Sequence, residues 1–225
     1  MDQDQQRAAI AKRLEALDTA IICDVFDERG WPVLALDNAI QSRTEGRRKF
    51  AGYAYTVEGQ YTAATGADRR KLEVVDATPA GSVAVWSSNG ARGICLFGDL
   101  LAATMHRNGC KGAVVDGGFR DRDAIGADGF GVFARYTSPV QAVGRWRVTR
   151  SGEPVCLTGA FGELVTVNPG DYLLADGDGV VVVPQGVVEE ILERAEQIVA
   201  DEREARKLGA SGMSTQEMLD TFGHV

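Results

Sequence analysis

The sequence predicts a mixed α/β domain built of stacked layers. From Gly52 to Tyr136, strand-type and helix-type segments alternate. From about Arg145 short strands follow one another with turn clusters between them, and amphipathic helical patterns flank both ends. Alternating units followed by a β-rich stretch are the pattern of a sheet covered by helices and further strands. No Pro/Ser-rich or single-sign charged linker divides the 225 residues, so residues 1–225 read as one domain with a helical C-terminal arm over about 187–225.

Gln5 to Leu17 carries Ile10, Leu14 and Leu17 at helical spacing. Asp18 or Thr19 can cap a second helix with Ile21, Ile22, Val25 and Phe26 on one face, stopped by Gly30 and Pro32. A β segment follows around Gly52 to Val57, then a helix over Asp68 to Val75. Pro79-Ala80-Gly81 turns the chain into a strand, Ser82 to Trp86. Gly98 opens a helix through Arg107. Ala113 to Asp116 is a short buried strand, Arg120 to Ala127 a short helix and Gly131 to Tyr136 a strand. Val155–Leu157, Leu164–Val167, Tyr172–Ala175 and Val180–Val183 read as strands between turns such as Asn168-Pro169-Gly170. Val187 to Lys207 is a long charged helix with an apolar stripe through Val188, Ile191, Leu192, Ala195, Ile198 and Val199.

The composition, 44% hydrophobic and 25% charged, is that of a chain with a sizeable core. No apolar run approaches the ~20 residues of a membrane helix. The polar, acidic start Met1 to Gln6 is the opposite of a signal peptide, and a cytoplasmic address is expected. A net charge of −8 disfavours direct nucleic-acid binding, which needs a basic face, but suits docking on a basic protein segment. Cys23, Cys95, Cys110 and Cys156 form no CxxC pair and read as reduced, mostly buried thiols. With only His106 and His224 besides, a zinc site is not expected.

The chemistry-bearing residues lie at two strand-to-helix junctions. Phe97-Gly98-Asp99-Leu100-Leu101 places an acid at a helix start. Twenty intervening residues after Asp99 comes the pair Arg120-Asp121, behind Gly117-Gly118. Each alone has a plain structural reading, as a helix N-terminal acid and as a surface ion pair. Together they supply an acid for a divalent cation, a guanidinium for an anion, and the free amides of Gly98, Asp99, Leu100 and Leu101 for a carboxylate. Mg²⁺ commonly takes one or two carboxylates and fills its shell with water and substrate oxygen, so a sparse ligand set is adequate. Asp116 reads as a strand-end turn acid. Asp176-Gly177-Asp178-Gly179 reads as a hairpin turn rather than a calcium loop, since Val180 to Val183 follow. Lys111 reads as solvated, and His106 has no Ser or Cys nucleophile motif beside it. Arg43, Arg47, Arg48 and Lys49 read as a solvated loop. No Gly-rich nucleotide fingerprint follows the first strand.

Gly98 to Leu101, Asn108 to Asp121 and Asp176 to Pro184 resemble the RraA-like family, and the likeness runs from about Leu17 to Leu208. That family contains 4-hydroxy-4-methyl-2-oxoglutarate and 4-carboxy-4-hydroxy-2-oxoadipate aldolases and protein regulators of ribonuclease E. The spacing of Asp99, Arg120 and Asp121 is the specific part of the match. The resemblance implies a β/β/α fold of the swivelling-domain type, homotrimers or homohexamers, and Mg²⁺ or Mn²⁺ at subunit clefts. It implies a class II aldolase that releases pyruvate from a 4-hydroxy-2-oxo diacid, with oxaloacetate decarboxylation as a side activity. In that scheme Asp121 holds the metal and Asp99 orients a metal-bound water. Arg120 binds substrate oxygen, and the Gly98, Leu100 and Leu101 segment grips the pyruvyl carboxylate. A C-terminal acid of a neighbouring subunit completes the site, Glu202 in preference to Glu204. The alternative within the same family is a non-catalytic protein that binds and inhibits ribonuclease E.

Overall fold

The structure is a computed structural model and describes residues 2–210 and 214–222. Helices α1 (Gln3–Glu15) and α2 (Thr19–Glu28) open the chain. Asp2 and Gln5 close a reciprocal capping box on α1. At α2 the Thr19 amide and hydroxyl donate to the buried Asp176 carboxylate at 2.7 and 2.8 Å. A distant acid thus satisfies the start of that helix, although its own N-cap residue Asp18 makes no capping bond.

Strands β1 (Gln41–Ser42), β2 (Phe50–Tyr61), β3 (Ser82–Ser87), β4 (Gly112–Phe119) and β5 (Gly131–Thr137) follow. They are interleaved with α3 (Arg69–Asp76), α4 (Asp99–Arg107) and α5 (Arg122–Ala127). Then come β6 (Trp146–Ser151), β7 (Val155–Thr158), β8 (Leu164–Val167), β9 (Tyr172–Ala175) and β10 (Val180–Val183), and finally α6 (Val188–Ala210) and α7 (Thr215–Phe222). The main sheet runs β1-β5-β4-β3-β2-β9-β10, with β6 pairing the far part of β2. Strands β2 to β5 are mutually parallel, and β1, β6, β9 and β10 are antiparallel to their neighbours. Strands β9 and β10 form a hairpin through Asp176 to Gly179, where the Asp178 amide donates to Asp176 Oδ1.

The alternation of side chains across each strand builds a layer on either face. Ala84 and Trp86, Ala113 and Val115, and Val132 and Ala134 face Val74, Ala102, Met105 and Ile125 of α3 to α5. Ala51, Leu174, Val181 and Val183 face α1, α2 and α6. The opposite face, with Phe50, Val83, Val85, Val114 and Phe133, is covered by Val155, Leu157, Val165 and Val167 of the β7–β8 hairpin. The result is the expected β/β/α layering, with the helices on one face of the sheet. The α6 stripe Val188, Ile191, Leu192, Ala195 and Ile198 is buried, as its periodicity predicts.

Three expectations need correction. Strand β4 does not stop at Asp116 but continues through Gly117 and Gly118 to Phe119. A Cβ on Gly118 would enter the Tyr136 ring and the Ile94 carbonyl, so glycine here admits a crossing segment rather than making a turn. Asp116 is therefore an in-strand acid. The cluster at 43–49 is not merely solvated. Arg43 donates to the Ala39, Ala134 and Arg135 carbonyls, Arg47 pairs with Glu15 and Lys49 with Asp18. The thiols divide evenly: Cys95 and Cys110 are buried, Cys23 is half-buried and Cys156 is exposed. The side chains of Met218, Leu219 and Phe222, expected to pack on a subunit, lie outside the described residues. No helix among the described residues is long and apolar enough to cross a membrane.

Candidate active site

The segment Ile94 to Gly98 runs alongside the end of β4. Cys95 bridges to Gly118, the Leu96 amide donates to the Gly118 carbonyl at 2.8 Å, and the Arg120 amide donates to the Phe97 carbonyl at 3.1 Å. These backbone bonds bring the start of α4 against the residues that leave β4. The corner they form lies beyond the C-terminal ends of the parallel strands, where open α/β sheets place their ligands.

Asp99, Arg120 and Asp121 converge there, as the spacing predicts. The Asp99 amide donates to Asp121 Oδ2 at 3.2 Å, and Arg120 Nε stands 3.3 Å from the same oxygen. A Cβ on Gly98 would strike Asp121 Oδ2 and crowd the Arg120 side chain, so both side chains take their present positions against a glycine. Asp121 holds a left-handed backbone, φ 62° and ψ 35°. Non-glycine residues persist in that region only where their surroundings over-determine it, and such residues cluster at functional sites.

The three side chains stay available to a ligand. Arg120 and Asp121 keep 44% and 36% side-chain exposure. A cavity of ≈ 560 Å³ is lined by Asp99, Arg120, Asp121, Arg122, Asp123 and the 137–139 segment. A second, of ≈ 230 Å³, is lined in part by Gly98 to Leu101 and Arg120.

The amides at the head of α4 are partly engaged. Asp121 takes the Asp99 amide, and the Asp99 carboxylate turns back onto the Leu100 amide at 2.8 Å. An anion could reach the Leu100 amide only by displacing Asp99 Oδ1. Among the described residues no group of three or more His, Cys, Asp or Glu is arranged to hold a metal. The corner offers two carboxylates, Asp99 and Asp121, against an open cavity. That donor set fits a hard cation that keeps much of its water, and does not fit zinc.

Other candidates lie elsewhere. Asp116 accepts from Arg135 Nε and from the Thr158 amide, and belongs to a separate network with Asp37. His106 stacks on Phe130 at 5.6 Å. Lys111 lines a groove with Arg7 and Tyr53 at the opposite ends of the strands. Glu202 lies on α6, ion-paired with Arg206 at 2.8 Å, and Glu204 pairs with Lys207.

One residue at the site escaped the sequence reading. Lys71, on α3 in the run Arg69-Arg70-Lys71, is buried with 9% exposure and lines the smaller cavity beside Gly98, Leu101 and Arg120. Its Nζ donates to the Leu96 carbonyl at 2.8 Å and lies 5.2 Å from the Trp146 ring centroid. The third residue of a basic run at a helix start carries no sequence signal of burial.

Comparison with known proteins places the chain among related sequences and folds. The chain is 31% identical over 177 residues to protein DlpA of Legionella pneumophila, a match spanning 77% of this chain but only 28% of that longer protein. A Laribacter hongkongensis protein with the provisional name 4-hydroxy-4-methyl-2-oxoglutarate aldolase is 34% identical over 74% of this chain and 95% of its own length. The crystal structure of Streptomyces coelicolor RraAS2, described as an unusual member of the RNase ES inhibitor RraA protein family, superposes with a TM-score of 0.72. It is 25% identical and covers 92% of this chain and 97% of that one. The RraA-like family model, described as aldolase/RraA, matches residues 19–182, and this chain belongs to that family.

Proposed function

We propose that the protein is a divalent-metal-dependent lyase. It cleaves the C3–C4 bond of a 4-hydroxy-2-oxo diacid of the 4-hydroxy-4-methyl-2-oxoglutarate type, giving pyruvate and a second oxo acid. The observation that carries this reading is that Arg120, Asp121 and Asp99 line one cavity at the head of α4 around Gly98. The provisional name of the Laribacter relative supports the reaction class.

The Leu100 and Leu101 amides would hold the C1 carboxylate through the positive end of the helix. The Arg120 guanidinium would pair with the C2 oxygen. As the C3–C4 bond breaks, its electrons move through C3 to that oxygen, and Arg120 offsets the charge that develops there. The C4 hydroxyl proton leaves to water beside Arg120, and C3 regains a proton to become the methyl group of pyruvate. Asp121, with Asp99 beside it, would hold Mg²⁺ or Mn²⁺, which when bound supplies Lewis-acid stabilisation of the same developing charge. Loss of CO₂ from oxaloacetate leaves charge on the same atoms, so the site would also decarboxylate it. In a homotrimer or homohexamer, Glu202 of a neighbouring α6 would add an acid to the corner.

A second reading is a regulator that binds and inhibits ribonuclease E. The net charge of −8 and the likeness to RraAS2 favour it. A lactate-dehydrogenase-coupled assay with oxaloacetate and 4-hydroxy-4-methyl-2-oxoglutarate, with and without Mg²⁺, separates the two. Mg²⁺-dependent pyruvate release supports the lyase. No turnover on either substrate, with capture and inhibition of ribonuclease E, assigns the regulator.

A further inference from the structure

The candidate active site lies beyond the C-terminal ends of the parallel strands, and another cavity lies at their opposite ends. It measures ≈ 790 Å³ and opens between α1 and the turns that lead into β3 and β4. Asp4, Arg7, Ala8, Ala11, Lys12 and Glu15 recur at three- and four-residue intervals, so one face of α1 makes a wall of it. Ala8 and Ala11, in the middle of that face, leave space that longer side chains would fill. Three cations reach the cavity from two separate parts of the chain: Arg7 and Lys12 from α1, and Lys111 from the turn before β4. Arg7 lies over the Tyr53 ring at 4.3 Å, and the Tyr53 hydroxyl donates to the Ala80 carbonyl at 3.0 Å, so a fixed ring supports the guanidinium. Neither Lys12 nor Lys111 stands in an ion pair among the described residues. Of the two acids in the lining, Glu15 is bound to Arg47 at 2.6 Å, which leaves Asp4, on the exposed first turn of α1, against three cations. In a chain of net charge −8 this is a local excess of positive charge. A cleft lined in that way concentrates anions.

We propose that this cavity binds a small oligophosphate, a diphosphate group either free or carried on an organic body. Cations supplied by separate elements suit an anion that spreads its charge over more than one centre, and lysine serves phosphate as a point charge. The volume falls in the range of small-molecule sites, about 300–1,000 Å³. The eight residues of β4 separate this cavity from the Asp99, Arg120 and Asp121 corner, a distance of roughly 25 Å for a strand of that length. The proposal therefore stands apart from the lyase reading. A ligand held between α1 and the turns before β3 and β4 would tie the first helix to the sheet and stabilise the folded chain by mass action.

The test is calorimetric titration of inorganic pyrophosphate and of ADP, without Mg²⁺, into the wild type, Lys12→Met, Lys111→Met, Lys111→Arg and Arg120→Ala. Both ligands are expected to bind the wild type and to raise its melting temperature. Lys12→Met and Lys111→Met should each bind pyrophosphate about tenfold more weakly, the loss of one charge-assisted contact. Lys111→Arg keeps most of the affinity, and Arg120→Ala binds as the wild type does. ADP binding no tighter than pyrophosphate means that the cavity reads the diphosphate alone, and tighter ADP binding means that it also holds the organic body. Absence of wild-type binding at millimolar pyrophosphate overturns the proposal. So does binding that Arg120→Ala abolishes and the two lysine-to-methionine variants keep, which would put the anion at the active corner. Citrate binding as tight as that of pyrophosphate overturns the assignment to phosphate. Lys12 is exposed, so its variant decides the matter should Lys111→Met not fold.

Discussion

Two arginines in this molecule stand beside aspartates near the C-terminal ends of the parallel strands, and their surroundings differ. Arg135, on β5, donates through Nε to Asp116 and through Nη1 to Asp37 at 2.8 Å. The acids are themselves satisfied. Asp116 takes the Thr158 amide at 2.9 Å, and Asp37 takes the Ala39 amide at 2.9 Å. Side-chain exposure in that network falls to 23% for Arg135 and 15% for Asp116. Arg120 has one long contact, to Asp121, and remains open to a cavity. Both arginines line cavities, Arg135 with Asp37 and Asp116 one of ≈ 940 Å³, but the first group's hydrogen bonds are made within the protein while Arg120 is left with donors to spare. A saturated network fastens the β7–β8 hairpin and the loop before β1 to the sheet. An unsaturated one beside a left-handed aspartate is where the proposed reading puts the ligand.

That contrast can be broken by substitution. Arg120→Ala should lower turnover by ~10²–10³ or more, the usual cost of one contact to a developing oxyanion, and should leave the melting temperature nearly unchanged. A large fall in stability would make Arg120 a second Arg135. Gly98→Ala pushes a methyl group into Asp121 and Arg120. Displacement of that size should cost on the order of 10²-fold in kcat/KM, and wild-type kinetics would show that the corner does not need its present closure. The reverse pattern is expected at the other arginine. Arg135→Met leaves two partly buried acids short of a donor and should cost about 1–3 kcal/mol in denaturant unfolding, with pyruvate affinity retained.

The smallest effect is in the acid limb of stability. The Ala39 amide and the Arg135 guanidinium hold the Asp37 carboxyl below its ordinary value. A carboxylate lowered on folding contributes stability above its unfolded value, and that contribution is lost as pH falls through the folded one. The melting-temperature gap between wild type and Asp37→Asn should therefore narrow below about pH 4. A gap independent of pH would mean that Asp37 acts by packing alone.

Much of this arrangement was legible in the sequence where local signals agree. Helix α4, strand β3 and the β9–β10 hairpin follow from glycines, prolines and apolar periodicity. The Asp99, Arg120 and Asp121 corner follows from spacing together with the family resemblance. What escaped depends on distant partners. Strand β6 interrupts its apolar positions with Arg147 and Arg150, and is a strand because the long β2 offers it an edge. Strand β1 is two residues long and is held by β5 and by Arg43 on the 134 and 135 carbonyls. Gly117 and Gly118 look like a turn until the segment from Ile94 crosses them. Lys71 carries no mark of burial in the sequence, and is covered by Trp146 and Leu96 from elsewhere in the chain. Asp116 and Asp121 cannot be told apart by residue type, since only the Arg135 and Thr158 contacts remove Asp116 from the site.

The most direct test of the lyase account is pyruvate release by purified Asp121→Ala beside the wild type, each stripped with chelator and then resupplied with Mg²⁺. The account predicts that the wild type loses activity on stripping and regains it with Mg²⁺, while Asp121→Ala stays inactive although folded. Wild-type pyruvate release by Asp121→Ala in chelator-treated buffer would contradict it.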